Sequence, residues 1–336
     1  MDAHAPHPFA KFVAILGRGK TKQRHLTLEE SRESMDMILR NEVLPEQLGA
    51  FLMLLRLKEE APEEIAGFAL ATKALYDLPA DIPKVDVDWS SYAGKRIQLP
   101  YFILSVMALV NSGVSVTMHG TEGHTPGRVY TRGIIKQLGF PEADNFQQAA
   151  DQVRASGFTY LPLEVLSPRL RALIELRPIF GLRSPVHTFA RMLNPFDAET
   201  MMQGIFHRGF MDIHAGAARL MGQPRMAVFR GEGGEIERRP NKPTPVWSIL
   251  GDGQPFEETW PQISESGHQP PDEEMNTARL LDIWQGADTN TYALDSIKGT
   301  LAVTLRTMGR APDMESAAHM ADELWNSRDK GFLPSA

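Results

Sequence analysis

Apolar positions in the first 76 residues recur at helical spacing. Met35, Ile38 and Leu39 form one stripe, Leu48, Phe51, Leu52 and Leu55 a second, and Ile65, Phe68, Ala69 and Leu75 a third. Start signals accompany them. Thr27-Leu28-Glu29-Glu30 has capping-box form, a hydroxyl with a carboxylate three residues on. Pro45 and Pro62 stand where a helix can open. The pattern predicts a helical bundle with these stripes as its core.

The texture changes after Leu78. Residues 78–83 read as a linker from their proline content. Residues 85–87 predict a short strand and 102–110, apolar on all sides, a buried helix that Asn111-Ser112-Gly113 can end. Residues 114–118 alternate and predict a strand leading into His119-Gly120. A helix over 134–138 ended by Gly139, strands over 158–163 and 226–229, and closing helices over 294–308 and 312–325 follow. Residues 231–271 are dense in Gly and Pro and predict hairpins and loops, with a short strand over 246–250. Strands alternating with helices imply a mainly parallel central sheet, so the fold class is α/β with a small helical bundle attached.

Composition changes this picture little. The 336 residues are 42% hydrophobic and 23% charged, as in an ordinary globular protein. The longest apolar run, 102–110, is too short to span a membrane, and the N-terminus lacks a basic start with an apolar segment, so no secretory signal or membrane partner is expected. Without cysteine, disulfides, thiol catalysis and thiolate metal sites are excluded, and the cytoplasm is the default compartment. The net charge of −7 argues mildly against a nucleic-acid binder on the global average.

Several familiar motifs fail on their mechanics. Gly17-Arg18-Gly19-Lys20-Thr21 ends like a nucleotide P-loop, but the first glycine that loop requires is Ala14. There is no G-x-S-x-G elbow and no H-E-x-x-H. His207 and His214 could share a helical face, an arrangement more often structural than metal-binding. Gly251-Asp252-Gly253 lacks the third glycine of a dinucleotide loop and reads as a turn.

The loop at 90–100, between the strand and the buried helix, is more informative. A loop that cradles phosphate there would be glycine-rich, so that bare N–H groups could close on the anion. This one has a single glycine, Lys95, Arg96 and Pro100.

Residues 26–31, 41–43, 47–52, 55–58 and 63–68 resemble the N-terminal helical domain of anthranilate phosphoribosyltransferases. Val116-Thr117-Met118-His119-Gly120 resembles that family's strand ending in His-Gly. Residues 176–184 through Leu193-Asn194-Pro195 resemble its segment with the acceptor-binding arginine and trailing Asn-Pro. The resemblance implies a homodimer formed through the helical domain. It also implies a helical unit of residues 1–80 with 165–193 and an α/β unit of 81–164 with 194–336. In active members phosphoribosyl pyrophosphate and Mg2+ bind between the two, the glycine loop holding pyrophosphate and an Asp-Glu pair the metal.

The departures fall on those parts. Residues 92–100 replace the glycine loop, and His-Gly-Asn becomes His119-Gly120-Thr121. The acidic segment reads Gly231-Glu232-Gly233-Gly234-Glu235-Ile236-Glu237, with Ile236 in the aspartate place. One lost carboxylate weakens a hard-cation site, leaving Glu237 as the sole metal candidate and Mg2+ as a cofactor only if the chain is an enzyme. Gly17-Arg18-Gly19-Lys20, residues 126–131 and His187-Thr188 resemble a divergent branch associated with nucleic-acid binding through a basic groove.

Cations cluster in segments such a fold would bring together. Lys20 and Lys22 lie near the start, Lys95 and Arg96 in the rewritten loop, Arg128 after His119-Gly120, and Arg177 and Arg183 in an arginine-rich stretch. Guanidinium groups suit phosphates through paired parallel hydrogen bonds. Two functions are therefore expected. One is binding of single-stranded nucleic acid or a phosphorylated small molecule in a basic interdomain cleft. The other is a pentosyl transferase or phosphorylase in which Lys95 and Arg96 replace glycine N–H groups.

Overall fold

The computed structural model describes residues 5–19, 21–251, 253–264, 272 and 274–332. The chain opens with four helices, α1 (Ala10–Gly17), α2 (Leu28–Leu39), α3 (Pro45–Lys58) and α4 (Pro62–Lys73). The Thr27 hydroxyl accepts the N–H of Glu30 at 3.2 Å, and the Glu30 carboxylate accepts that of Thr27 at 2.9 Å, closing the capping box. Pro45 and Pro62 occupy first-turn positions. Met35, Ile38, Phe51, Leu55, Ile65 and Phe68 are fully buried, as their spacing predicts.

The α/β part then builds a seven-stranded sheet in the order β3-β2-β1-β4-β5-β6-β7. Its elements follow as β1 (Val87–Ser91), α5 (Phe102–Asn111), β2 (Val116–Gly120), α6 (Thr131–Gln137), α7 (Phe146–Ser156) and β3 (Phe158–Pro162). A helical excursion interrupts it with α8 (Leu163–Leu166), α9 (Pro168–Glu175), α10 (Arg177–Phe180) and α11 (Val186–Phe189). This excursion returns to the bundle, where α11 packs on α4 and the Phe68 and Phe189 rings lie 5.4 Å apart. The sheet resumes with β4 (Thr200–Ile205), α12 (Met211–Leu220) and β5 (Arg225–Arg230), then the antiparallel hairpin β6 (Thr244–Leu250) and β7 (Phe256–Trp260). Helices α13 (Arg279–Gln285), α14 (Thr291–Thr307) and α15 (Met314–Ser327) close the chain. No helix among the described residues is long and apolar enough to cross a membrane.

Strands β1 to β5 are all parallel, and β1 to β4 are buried along their whole length. Hence polar Asp88 and Ser90 belong to β1, which extends to Ser91 rather than ending at 87. The alternation rule had no outward face to read there. Strand β4, with Gln203 and Gly204, shows no strand pattern in sequence. Gln203 is tolerated because its amide donates to the Arg191 carbonyl at 2.5 Å. From β1 the chain winds outward through β2 and β3, and then returns to β4 on the other side. The carboxyl ends of β1 and β4 therefore flank the place where the winding reverses, where α/β sheets form their ligand crevice.

Candidate functional site

The loop after β1 meets the acidic segment after β5 at this crevice. Glu235 is fully buried. Its Oε1 accepts the backbone N–H of Ala93 at 2.7 Å and of Gly94 at 2.6 Å, and its Oε2 accepts the Ser91 hydroxyl at 2.9 Å. Two bare N–H groups thus converge on an anion, and the anion is the protein's own carboxylate. Glu237, also fully buried, pairs with the Lys95 ammonium and accepts the Phe102 N–H at the start of α5 at 3.0 Å. A carboxylate at a helix N-terminus is electrostatically favoured. Burial nonetheless pushes the Glu237 carboxyl upward, with Lys95 opposing. Ile236, between them, is fully buried in the core.

These contacts correct part of the sequence reading. Lys95 does not face the cleft; it is 1% exposed and bonded inward, because Glu237 needs a counter-charge where water is excluded. Glu237 would have to give up Lys95 and the Phe102 N–H to ligate a metal. Among the described residues no group of three or more His, Asp or Glu is placed to hold one.

The remaining expected contacts are dispersed. Lys20 lies outside the described residues. Lys22 and Arg96 are exposed. His119 is fully buried, 3.4 Å from Asp88 through Nε2 and 2.8 Å from the Tyr92 hydroxyl through Nδ1, so it is a packing group that does not face the cleft. Gly120 ends β2 with its backbone against β1, where a Cβ would come within 2.0 Å of the Ser91 carbonyl oxygen. Arg128 donates to the carbonyls of Ala93 at 2.9 Å and Gly94 at 3.0 Å and so ties the loop after β1 down. Arg177 donates to the His124 carbonyl and to the Thr125 hydroxyl, the latter at 2.9 Å, and Arg183 reaches the same hydroxyl at 2.8 Å.

Beside Glu235, between α3, the excursion and the carboxyl end of β4, lies a cavity of about 150 Å³. Arg56, Arg183 and Arg191 line it with His124, His187, His207 and His214. Arg191 donates to the carbonyls of Gly204 at 3.0 Å and Gly234 at 3.3 Å. Burial lowers the Arg183 pKa, and the neighbouring Arg177, Arg128 and Arg191 lower it further, so four guanidinium groups share one electrostatic neighbourhood. No carboxylate among the described residues forms a salt bridge with any of the four. Burial also pulls His124 down to about 4 and His187 to about 3, with Arg183 contributing to both. His214 falls to about 3 through burial and Arg191. Glu60, in the same wall, is pushed up to about 7 by burial.

His207 and His214 therefore meet in a cavity, not on one helix, since His207 precedes α12 and His214 is within it. Glu60 and His124 carried no sequence signal, because the cavity joins five separate segments. Arg191 was visible only as one of several clustered arginines.

Residues 14–75 match the helical bundle domain of the glycosyl transferase family. The chain is 25% identical over 319 residues to an anthranilate phosphoribosyltransferase of Prochlorococcus marinus, covering 92% of this chain and 91% of that one. Its fold matches the anthranilate phosphoribosyltransferase of Thermus thermophilus with a TM-score of 0.76 at 20% identity, over 96% and 95% of the two chains. It also matches that of Saccharomyces cerevisiae in complex with PRPP and Mg, with a TM-score of 0.74 at 18% identity over 96% and 94%. The chain is thus similar to anthranilate phosphoribosyltransferases along nearly its whole length and shares their fold.

Proposed function

We propose that this protein is a polyanion binder on the phosphoribosyltransferase fold, whose ligand is single-stranded nucleic acid or another phosphorylated molecule. The observation that carries the reading is the gathering of Arg128, Arg177, Arg183 and Arg191 beside one cavity with no salt-bridged carboxylate among the described residues. Such a set attracts phosphate in a low-dielectric setting. Glu235 supports the reading from the other side, because it already takes the loop N–H groups that pyrophosphate would need. The residues present do not fit Mg2+, with Ile236 apolar and Glu237 paired to Lys95. The same proposal includes a helical unit of 1–80 with 165–193, a cytoplasmic site of action and a homodimer. Leu44, Leu57, Ile179 and Leu182, all in that unit, are exposed apolar side chains that a dimer would cover.

A second reading, pentosyl transfer to an unidentified acceptor, is favoured by similarity to anthranilate phosphoribosyltransferases along almost the whole chain. Two measurements separate the readings. Fluorescence anisotropy with labelled single strands at low salt is expected to show binding at about micromolar concentration, the usual range for sequence-independent phosphate contacts. Anthranilate fluorescence with phosphoribosyl pyrophosphate and Mg2+ is expected to show no decay. Turnover near about 1 per second, with no oligonucleotide binding, reverses the order.

A further inference from the structure

A second cavity, of about 560 Å³, lies between Arg238, the end of β7, α14 and α15 and shares no lining residue with the cavity above. Arg238 and Trp260 are each 2% exposed and form its floor. The Arg238 backbone is pinned to α14: its N–H donates to the Thr300 hydroxyl at 3.0 Å, and its carbonyl accepts the Ser296 hydroxyl at 3.1 Å. The guanidinium lies 5.2 Å from the Trp260 ring centre, and one Nη2 bond goes to the Pro261 carbonyl. Among the described residues its Nε and the Trp260 Nε1 are buried donors without a partner.

No carboxylate forms a salt bridge with Arg238 among the described residues, and burial alone lowers its pKa to about 10. An uncompensated buried cation is unusual, because burial is tolerated only with a counter-charge or full hydrogen bonding. The walls are mainly apolar or small, with Ile263, Ala302, Met314 and Ala318. Gly299 keeps the floor open: a Cβ there would come within 2.7 Å of Ile263 and 3.2 Å of the Arg238 side chain. Three acids also line it. Asp322 is paired with Lys298 at 2.8 Å, while Asp295 and Glu315 are not salt-bridged among the described residues.

The structure assigns this cavity as a binding site for an amphipathic monoanion, a carboxylate on an apolar body. The carboxylate meets Arg238 and the Trp260 N–H at the floor, and the apolar body lies along Ile263, Ala302 and Met314. Asp295, Glu315 and Asp322 select against polyanions, since a second negative charge would sit beside them.

Titration calorimetry on the full chain tests this with decanoate, decanol and inorganic phosphate. Decanoate binds, decanol binds roughly tenfold more weakly or worse, and phosphate gives no heat. Arg238→Gln weakens decanoate by roughly tenfold or more. Ala318→Trp, at an exposed wall position, does the same without touching the guanidinium, and decides the matter if Arg238→Gln does not fold. Absence of decanoate binding at about millimolar concentration, equal affinity for decanoate and decanol, or wild-type affinity in either folded variant overturns the assignment.

Discussion

Glu235 and Gly94 lie 141 residues apart in the chain and 2.6 Å apart across a hydrogen bond. The bond closes the loop after β1 onto the acidic segment after β5. Ala93 and Ser91 add two further donors to the same carboxylate. An anion site is thus present in the crevice and filled from within.

Glu235→Ala is expected to destabilise the fold by about 3 kcal/mol or more, since three buried donors lose a charged acceptor. Urea unfolding midpoints measure this. A loss under about 1 kcal/mol would mean that the carboxylate is not the anchor of the loop.

Lys95 and Glu237 form the second internal lock. Lys95→Met and Glu237→Gln are each expected to cost about 3–5 kcal/mol, because either leaves one charge buried alone. The double variant should cost much less than the sum. Additive losses in a double-mutant cycle would refute the pairing. Lys95→Glu is consequently a folding variant, unsuitable for probing anion binding.

Stability should fall below neutral pH. His124, His187 and His214 have pKa values depressed from 6.5 to between about 3 and 4. Their contribution is complete above 6.5 and is lost as pH falls toward the folded values. Between pH 7 and 5 each loses about 2 kcal/mol. Glu60 acts in the opposite sense. Its pKa is raised from 4.5 to about 7, so its contribution is full below 4.5 and is lost as pH rises through 7. It restores about 2 kcal/mol over the same interval, leaving a net loss of about 3–4 kcal/mol. His214→Asn should reduce the loss, and Glu60→Gln should deepen it. Denaturant titrations at the two pH values provide the test, and identical pH dependence in wild type and both variants contradicts it.

Arg183→Glu is expected to weaken oligonucleotide binding by roughly tenfold for all sequences alike and to make the salt dependence shallower, by about 0.7 in slope per lost phosphate contact. Arg183 is exposed at the cavity rim, so the substitution is tolerated by the fold. Anisotropy across a salt series reads both effects. An unchanged slope and affinity would remove this cavity from the nucleic-acid reading.

Ile179 in α10 is 77% exposed and Leu57 in α3 is 84% exposed, while Phe180 in α10 lies 3.7 Å from the Cβ position of Gly49 in α3. If a homodimer covers this face, Leu57→Glu with Ile179→Glu yields a monomer by light scattering at about tens of micromolar. A wild-type monomer at that concentration, or a dimer that survives the double change, counts against it.

The bundle was legible because its determinants are local. The Thr27–Glu30 cap, the prolines opening α3 and α4, and the apolar stripes act within one or two helical turns. Buried α5 and the alternation of strands with helices likewise gave the α/β class. The sheet's centre was less legible, because polar Asp88, Ser90 and Gln203 hide strands buried on both faces. The sequence by itself also showed that the loop at 90–100 carries a single glycine and that Ile236 stands among acids. How these segments pair was decided only in three dimensions. Lys95 looked like a cation for a ligand and is the counter-ion of Glu237, and Glu235 looked like one acid among several and is the anion of the loop. A charge's partner depends on which distant segments fold against it and on how much water they exclude, and spacing along the chain carries neither quantity.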